Sequence, residues 1–140
     1  MIKPHYVDFN VAKLLQEKDF KEPVYSYYKE NKILYTVIKN DSHSGKIETP
    51  VETLLQDYNA YLSLGLYSAP EVRHVADWLL QKYKIWIRVD YFFFGDDVIE
   101  WDYEIDQNYS TVIEFGETRQ FNSLEEAYSA AITYVLENLI

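Results

Sequence analysis

Apolar residues recur at helical spacing in four stretches of the chain. Behind Thr49-Pro50-Val51-Glu52, the residues Val51, Leu54, Leu55, Tyr58 and Leu62 share one helical face. The opening tetrapeptide combines a hydroxyl cap, a proline at the first helical position and a glutamate able to reach back to the cap amide, so it predicts a helix over 50–62. Ser68-Ala69-Pro70-Glu71 repeats that device ahead of Val72, Val75, Ala76, Leu79, Leu80 and Tyr83, predicting a helix over 69–83. Ser123-Leu124-Glu125-Glu126 opens a third stripe through Ala127, Ala131, Val135 and Leu139, and predicts a helix over 123–139. Near the start, Val11, Ala12, Leu14 and Leu15 follow Asp8 or Asn10 as a cap and predict a shorter helix over 10–18.

Between the second and third of these boxes the period changes from helical to alternating. Ile85, Ile87, Val89, Tyr91 and Phe93 alternate with Trp86, Arg88, Asp90, Phe92 and Phe94; after Gly95-Asp96-Asp97, Ile99, Trp101, Tyr103 and Ile105 alternate with Glu100, Asp102, Glu104 and Asp106. Two strands are predicted, and burial sets their register, because a one-residue slip would move every apolar side chain to the wrong face. An odd-length connection at Gly95-Asp96-Asp97 opposes Tyr91 to Trp101 and Arg88 to Glu104, and keeps the apolar sets together. The same parity places a third strand at 111–117, across Gln107-Asn108-Tyr109, with Ile113 and Phe115 beside Tyr103 and Trp101. Two Tyr-, Ile- and Val-rich runs, 24–29 and 32–38, read as a hairpin about Glu30-Asn31, and Lys39 to Lys46 reads as a polar linker. Together these elements predict a single α+β domain over 1–140. Its antiparallel C-terminal meander of three strands is extended by the N-terminal hairpin, with helices packed on one face.

Charge adds direction to this outline. The 140 residues carry 13 basic and 23 acidic side chains, a formal charge of −10. Residues 1–48 hold eight Lys against seven Asp or Glu, whereas residues 49–140 hold five basic against sixteen acidic groups. Direct nucleic-acid binding depends on neutralising phosphates with Lys and Arg, and no basic patch is visible, so none is expected; a basic partner suits the acidic body better. There is no Cys, which excludes disulfides, thiolate metal sites and a cysteine nucleophile. No apolar run is long enough to span a membrane, and the first twenty residues lack the apolar stretch of a secretion signal, so a cytoplasmic protein is predicted.

The most distinctive surface feature is the row Glu100, Asp102, Glu104 and Asp106 on one strand face, with neighbours about 6 to 7 Å apart. That spacing is too long for neighbours to share one ion without ligands from other strands, and no calcium-loop pattern is present. Trp86, Phe92 and Phe94 fall on the same nominally polar face. Three large aromatics there call for a cover, from the hairpin or the helix over 50–62, or else for a dimer or partner contact, or a platform on which a sugar or nucleobase stacks. The candidate binding residues are therefore Trp86, Arg88, Asp90, Phe92, Phe94, Glu100, Asp102 and Glu104. Glu71-Val72-Arg73-His74 has the spacing of one half of a di-iron helix motif but lacks its second copy, and His43 sits between Ser42 and Ser44 without the geometry that defines a triad. No phosphate loop, nucleophile elbow or zinc helix motif occurs. No catalytic residue, metal ligand or cofactor is assigned.

In the order of its parts the chain resembles a family of small proteins, with no established activity, found in Bacteroides-type gut bacteria and their phages and mobile elements. The matching pieces are Val11-Ala12-Lys13-Leu14-Leu15-Gln16-Glu17-Lys18-Asp19-Phe20, Ser68-Ala69-Pro70 with Val75 to Tyr83, and Phe121-Asn122-Ser123-Leu124-Glu125-Glu126-Ala127 running to Ile140. Asp19 stands where a Gly commonly ends the first helix, and Leu80-Gln81 replace an Arg-Glu pair. The resemblance implies a small accessory protein carried with mobile DNA. The sequence thus predicts a non-enzymatic protein that binds a protein partner, or a second copy of itself, through the acidic and aromatic sheet face. The alternatives are a nucleic-acid mimic that occupies a DNA-binding protein, and a small hydrolase or metal-dependent enzyme using Glu71, His74 or the carboxylate row.

Overall fold

The computed structural model describes residues 4–36, 41–42, 45–46, 56–95, 98–117 and 120–140; of residues 41, 42, 45, 46, 61–63, 94 and 98 it describes the backbone alone. The chain is α+β and divides into two compact units, Tyr6–Pro70 and Met1–His5 with Glu71–Ile140.

In the Tyr6–Pro70 unit, α1 (Phe9–Glu17) starts where Asp8 accepts a 2.8 Å bond from the Val11 amide, so the cap is Asp8 and not Asn10. Val11, Ala12 and Leu15 face the core. The helix ends at Lys18, and Asp19 takes a left-handed conformation with φ 62°, the geometry that favours glycine. β1 (Ser26–Tyr28) and β2 (Leu34–Thr36) form the expected hairpin with Tyr27 opposite Tyr35. It does not extend the C-terminal meander. Instead β1 pairs on its other side with β5 (Tyr67–Ser68), closing a separate three-stranded antiparallel sheet.

Ser68 is accordingly not a helix cap. Its backbone belongs to the sheet and its buried hydroxyl accepts from the Asn59 amide at 3.2 Å. The stretch 39–46 is not wholly a linker, since β3 (Asp41–Ser42) and β4 (Gly45–Lys46) pair antiparallel. Of the helix expected over 50–62, residues 50–55 lie outside the described residues. Gln56 instead bridges to Val24, and Tyr58–Leu64 is a 3-10 helix. The Asp57 carboxylate turns back to the Asn59 amide at 3.1 Å, and Asn59 ties the Phe20 carbonyl and the Ser68 amide at 2.9 and 2.8 Å. The Asn59 bonds to residues 20 and 68 come from outside this turn and override the α-helical period.

In the second unit, α2 (Val72–Tyr83) begins at Glu71, whose side chain makes no capping bond, and stops at Lys84 in a left-handed conformation. The Val72 amide donates to the His5 carbonyl at 2.8 Å. β6 (Ile85–Phe94) and β7 (Val98–Gln107) pair over ten residues in the register that burial demands, with Tyr91 opposite Trp101 and Arg88 opposite Glu104.

β8 (Ser110–Ile113) departs from expectation. It follows a two-residue turn, Asn108-Tyr109, with both φ values positive, and then shifts register between Ile105 and Asp106. The extra residue of this bulge restores the parity that an even turn loses, so Ile113 lies opposite Ile105 and not beside Tyr103. The strand ends at Ile113, and Phe121 takes the place expected for Phe115 by bridging to Trp101. α3 (Leu124–Asn138) carries the Ser123 cap, which accepts from the Glu126 amide at 3.1 Å, while Glu126 accepts from the Asn122 amide at 3.2 Å. α2 and α3 both pack on one face of β6 and β7, where Ile85, Ile87, Tyr103 and Ile105 meet Val75, Leu79, Ala131 and Val135 in the core.

Candidate functional site

The face of β6 and β7 turned away from the helices brings Trp86, Arg88, Asp90, Phe92, Glu100, Asp102 and Glu104 together in two facing rows. The side chain of Phe94 lies outside the described set. Strand alternation alone places these residues, but their environments differ sharply.

Arg88 is the positive centre of the face. It pairs with Glu104 directly opposite and with Asp106 at 3.2 Å, and its guanidinium lies 5.5 Å from the centre of the Trp86 ring. Asp106 also accepts from the Thr111 hydroxyl at 2.9 Å. Two of the four carboxylates in the acidic row therefore share one cation.

Asp102 does not belong to a solvated row. It is 2% exposed, with one carboxylate oxygen accepting from the Tyr103 amide at 2.8 Å and the other from the Gly116 amide at 2.5 Å. The turn at 114–117, where Gly116 has φ 89°, docks on this carboxylate, and Asp102 serves as its anchor. Glu100 is half-buried, and its Oε2 is buried without a hydrogen-bond partner. Asp90, opposite Asp102, is exposed and accepts from the Tyr91 amide at 2.8 Å.

The aromatic residues stay open. Trp86 is 53% exposed, and Phe92 is exposed with one edge against Phe115. The opposite face of the hairpin adds what the sequence pattern assigned to the core: Tyr91, Ile99 and Phe93, the last 69% exposed. Length explains it. A ten-residue strand runs about 33 Å, whereas the twelve residues of α2 span about 18 Å, so the apolar alternation continues past the part of the sheet that the helices cover.

The Glu71-His74 pair does not make a site. Glu71 lines a cleft of about 390 Å³ with Pro4, His5, Val72, Arg73, Leu124, Glu125 and Tyr128, and His74 is not among its walls. Its walls come from three separated stretches of chain, so no local sequence pattern marks it. His43 lies outside the described residues, so the Ser42-His43-Ser44 arrangement does too. Among the described residues no group of three His, Asp or Glu side chains could hold a metal ion, and no helix is long and apolar enough to cross a membrane. Comparison with protein-family models, with curated proteins and with solved structures finds no match to this chain.

Proposed function

We propose that this is a non-enzymatic accessory protein that binds another protein through the outer face of β6 and β7. The observation that carries this reading is the open aromatic pair Trp86 and Phe92, flanking the charged pair Arg88 and Asp90 in one strand. Aromatic and Arg side chains are the types enriched where interfaces concentrate their binding energy. The overall charge of −10 favours a partner with a basic surface, and we place the protein in the cytoplasm, carried with mobile DNA. Mimicry of nucleic acid has less support, because Glu104 and Asp106 are both paired with Arg88 while Asp102 is buried. A hydrolase has less support as well, since the cleft beside Glu71 has no Ser, Thr or Cys in its walls.

The test is an affinity capture from lysate of the source cell with wild type beside Trp86→Ala/Phe92→Ala, after circular dichroism shows both folded. A protein retained by wild type and lost by the variant, with binding that weakens as salt rises, supports the reading. Equal recovery by both chains would sink it and shift attention to the cleft beside Glu71.

A further inference from the structure

We propose that β6 is a dimerisation edge, on which a second copy of this chain pairs antiparallel about a two-fold axis through Val89. The proposal concerns the edge of the sheet and not its outer face, and it stands whether or not that face binds another protein.

Among the described residues β6 has a hydrogen-bonded neighbour on one side only, β7. Which of its backbone groups are open follows from the far side of the sheet. Trp101 exchanges two backbone bonds with Phe121, at 2.8 and 2.7 Å, and lies opposite Tyr91. Bonding in an antiparallel ladder alternates from residue to residue, so Tyr91, and at two-residue steps Val89, Ile87, Ile85 and Phe93, aim N–H and C=O away from β7. The Tyr91 amide agrees with this, because its acceptor is the Asp90 carboxylate and not a backbone carbonyl.

Open edges are usually blunted by shortness, a bulge, proline, a covering element or charged side chains, lysine above all. β8, the other edge, is four residues long and carries the register shift. β6 is neither short nor bulged: ten residues pair with β7 without a shift, there is no Pro or Lys among them, and its two charges, Arg88 and Asp90, are of opposite sign.

The side chains choose the occupant. With the axis through Val89, Arg88 of each copy faces Asp90 of the other, and Trp86 faces Phe92. On the helix-bearing face Ile87 meets Tyr91 and Ile85 meets Phe93. Moving the axis by one residue sets Arg88 against Arg88 or Asp90 against Asp90, so charge singles out the Val89 register. Within its own chain Asp90 faces Asp102, a like charge, while the Arg88 side chain is 42% exposed. On pairing, the Tyr91 amide passes to the Ile87 carbonyl of the second copy, and the released Asp90 carboxylate turns to Arg88. The product is a continuous six-stranded antiparallel sheet.

The chain has no cysteine, so single-cysteine variants report the register without background. Trp86→Cys and Phe92→Cys chains, mixed and oxidised, should join as a mixed disulfide, because residues opposite each other in a non-hydrogen-bonded pair lie about 4.5 Å apart at Cα, within disulfide reach. Trp86→Cys alone should not cross-link, since its two copies lie about 20 Å apart in this register. Sedimentation equilibrium should give a dimer for wild type, and Asp90→Arg should weaken it about tenfold or more with circular dichroism unchanged. A wild-type monomer at every concentration, self-linking of Trp86→Cys as ready as mixed linking, or an Asp90→Arg dimer as tight as wild type would each overturn the proposal.

Discussion

Tyr109 occupies the second position of the tight turn between β7 and β8 with φ 67°, and the residue is 99% exposed. A left-handed conformation costs a non-glycine residue about 1 to 2 kcal/mol, and nothing packs on the ring to offset that cost. Tyr109→Gly should therefore raise stability by about 1 kcal/mol, read as a higher urea midpoint with an unchanged slope. Asp102 is the opposite case. Its carboxylate takes two backbone amides in a buried position, so Asp102→Ala should lower stability by about 2 to 3 kcal/mol in the same titration. A charge reversal there would report unfolding and not partner binding. Strand alternation put Asp102 on the correct face, but its burial was not legible, because the turn at 114–117 that docks on it has no local signature pointing back to residue 102.

Helix starts separate local from tertiary control. Asp8 and Ser123 make the capping bonds that their positions announce, and Asp8→Ala or Ser123→Ala should each cost about 1 kcal/mol in thermal or urea unfolding. Glu71 stands at the cap position of α2 without a side-chain bond, so Glu71→Ala should stay within about 0.5 kcal/mol of wild type. The Ser68 box misleads because Ser68 and Tyr67 are claimed by β1, a pairing between stretches some forty residues apart in sequence. The long hairpin of β6 and β7 was legible in register because burial on one side leaves a single parity. What alternation does not carry is how far the helices reach, and so Tyr91, Phe93 and Ile99 read as core and are exposed. The turn before β8 shows the same limit: an odd connection and an even turn followed by a bulge satisfy parity equally well.

Across the whole molecule three tyrosines link stability to alkaline pH. The Tyr67 phenol is raised above its ordinary value of 10.0 chiefly by its 2.5 Å bond to Glu30, and Tyr28 and Tyr103 are raised chiefly by burial, with Asp8 and Asp102 adding their charges. Above pH 10.0 the unfolded phenols ionise while the folded ones keep their protons, so the folded state binds more protons. Stability should be level up to that point and fall as pH rises through it, which melting temperatures between about pH 9 and pH 11 would show. Tyr103→Phe should make the fall shallower. The α+β class was legible from the alternating and helical periods. The separation of the two sheets was not, because it depends on β5, a two-residue strand too short to announce itself.

The Val7 amide donates to the Pro70 carbonyl at 3.0 Å, and the Val72 amide donates to the His5 carbonyl at 2.8 Å. Residues 6–70 thus leave and return at one place, in the manner of a passage inserted within a sentence. On the ribosome this passage is complete before the residue that binds His5 has been made, so the first words of the outer sentence wait for its end. In genetic terms the codons for 6–70 form a removable cassette: a short linker in their place should leave His5 and Val72 within reach of each other and the outer unit able to fold.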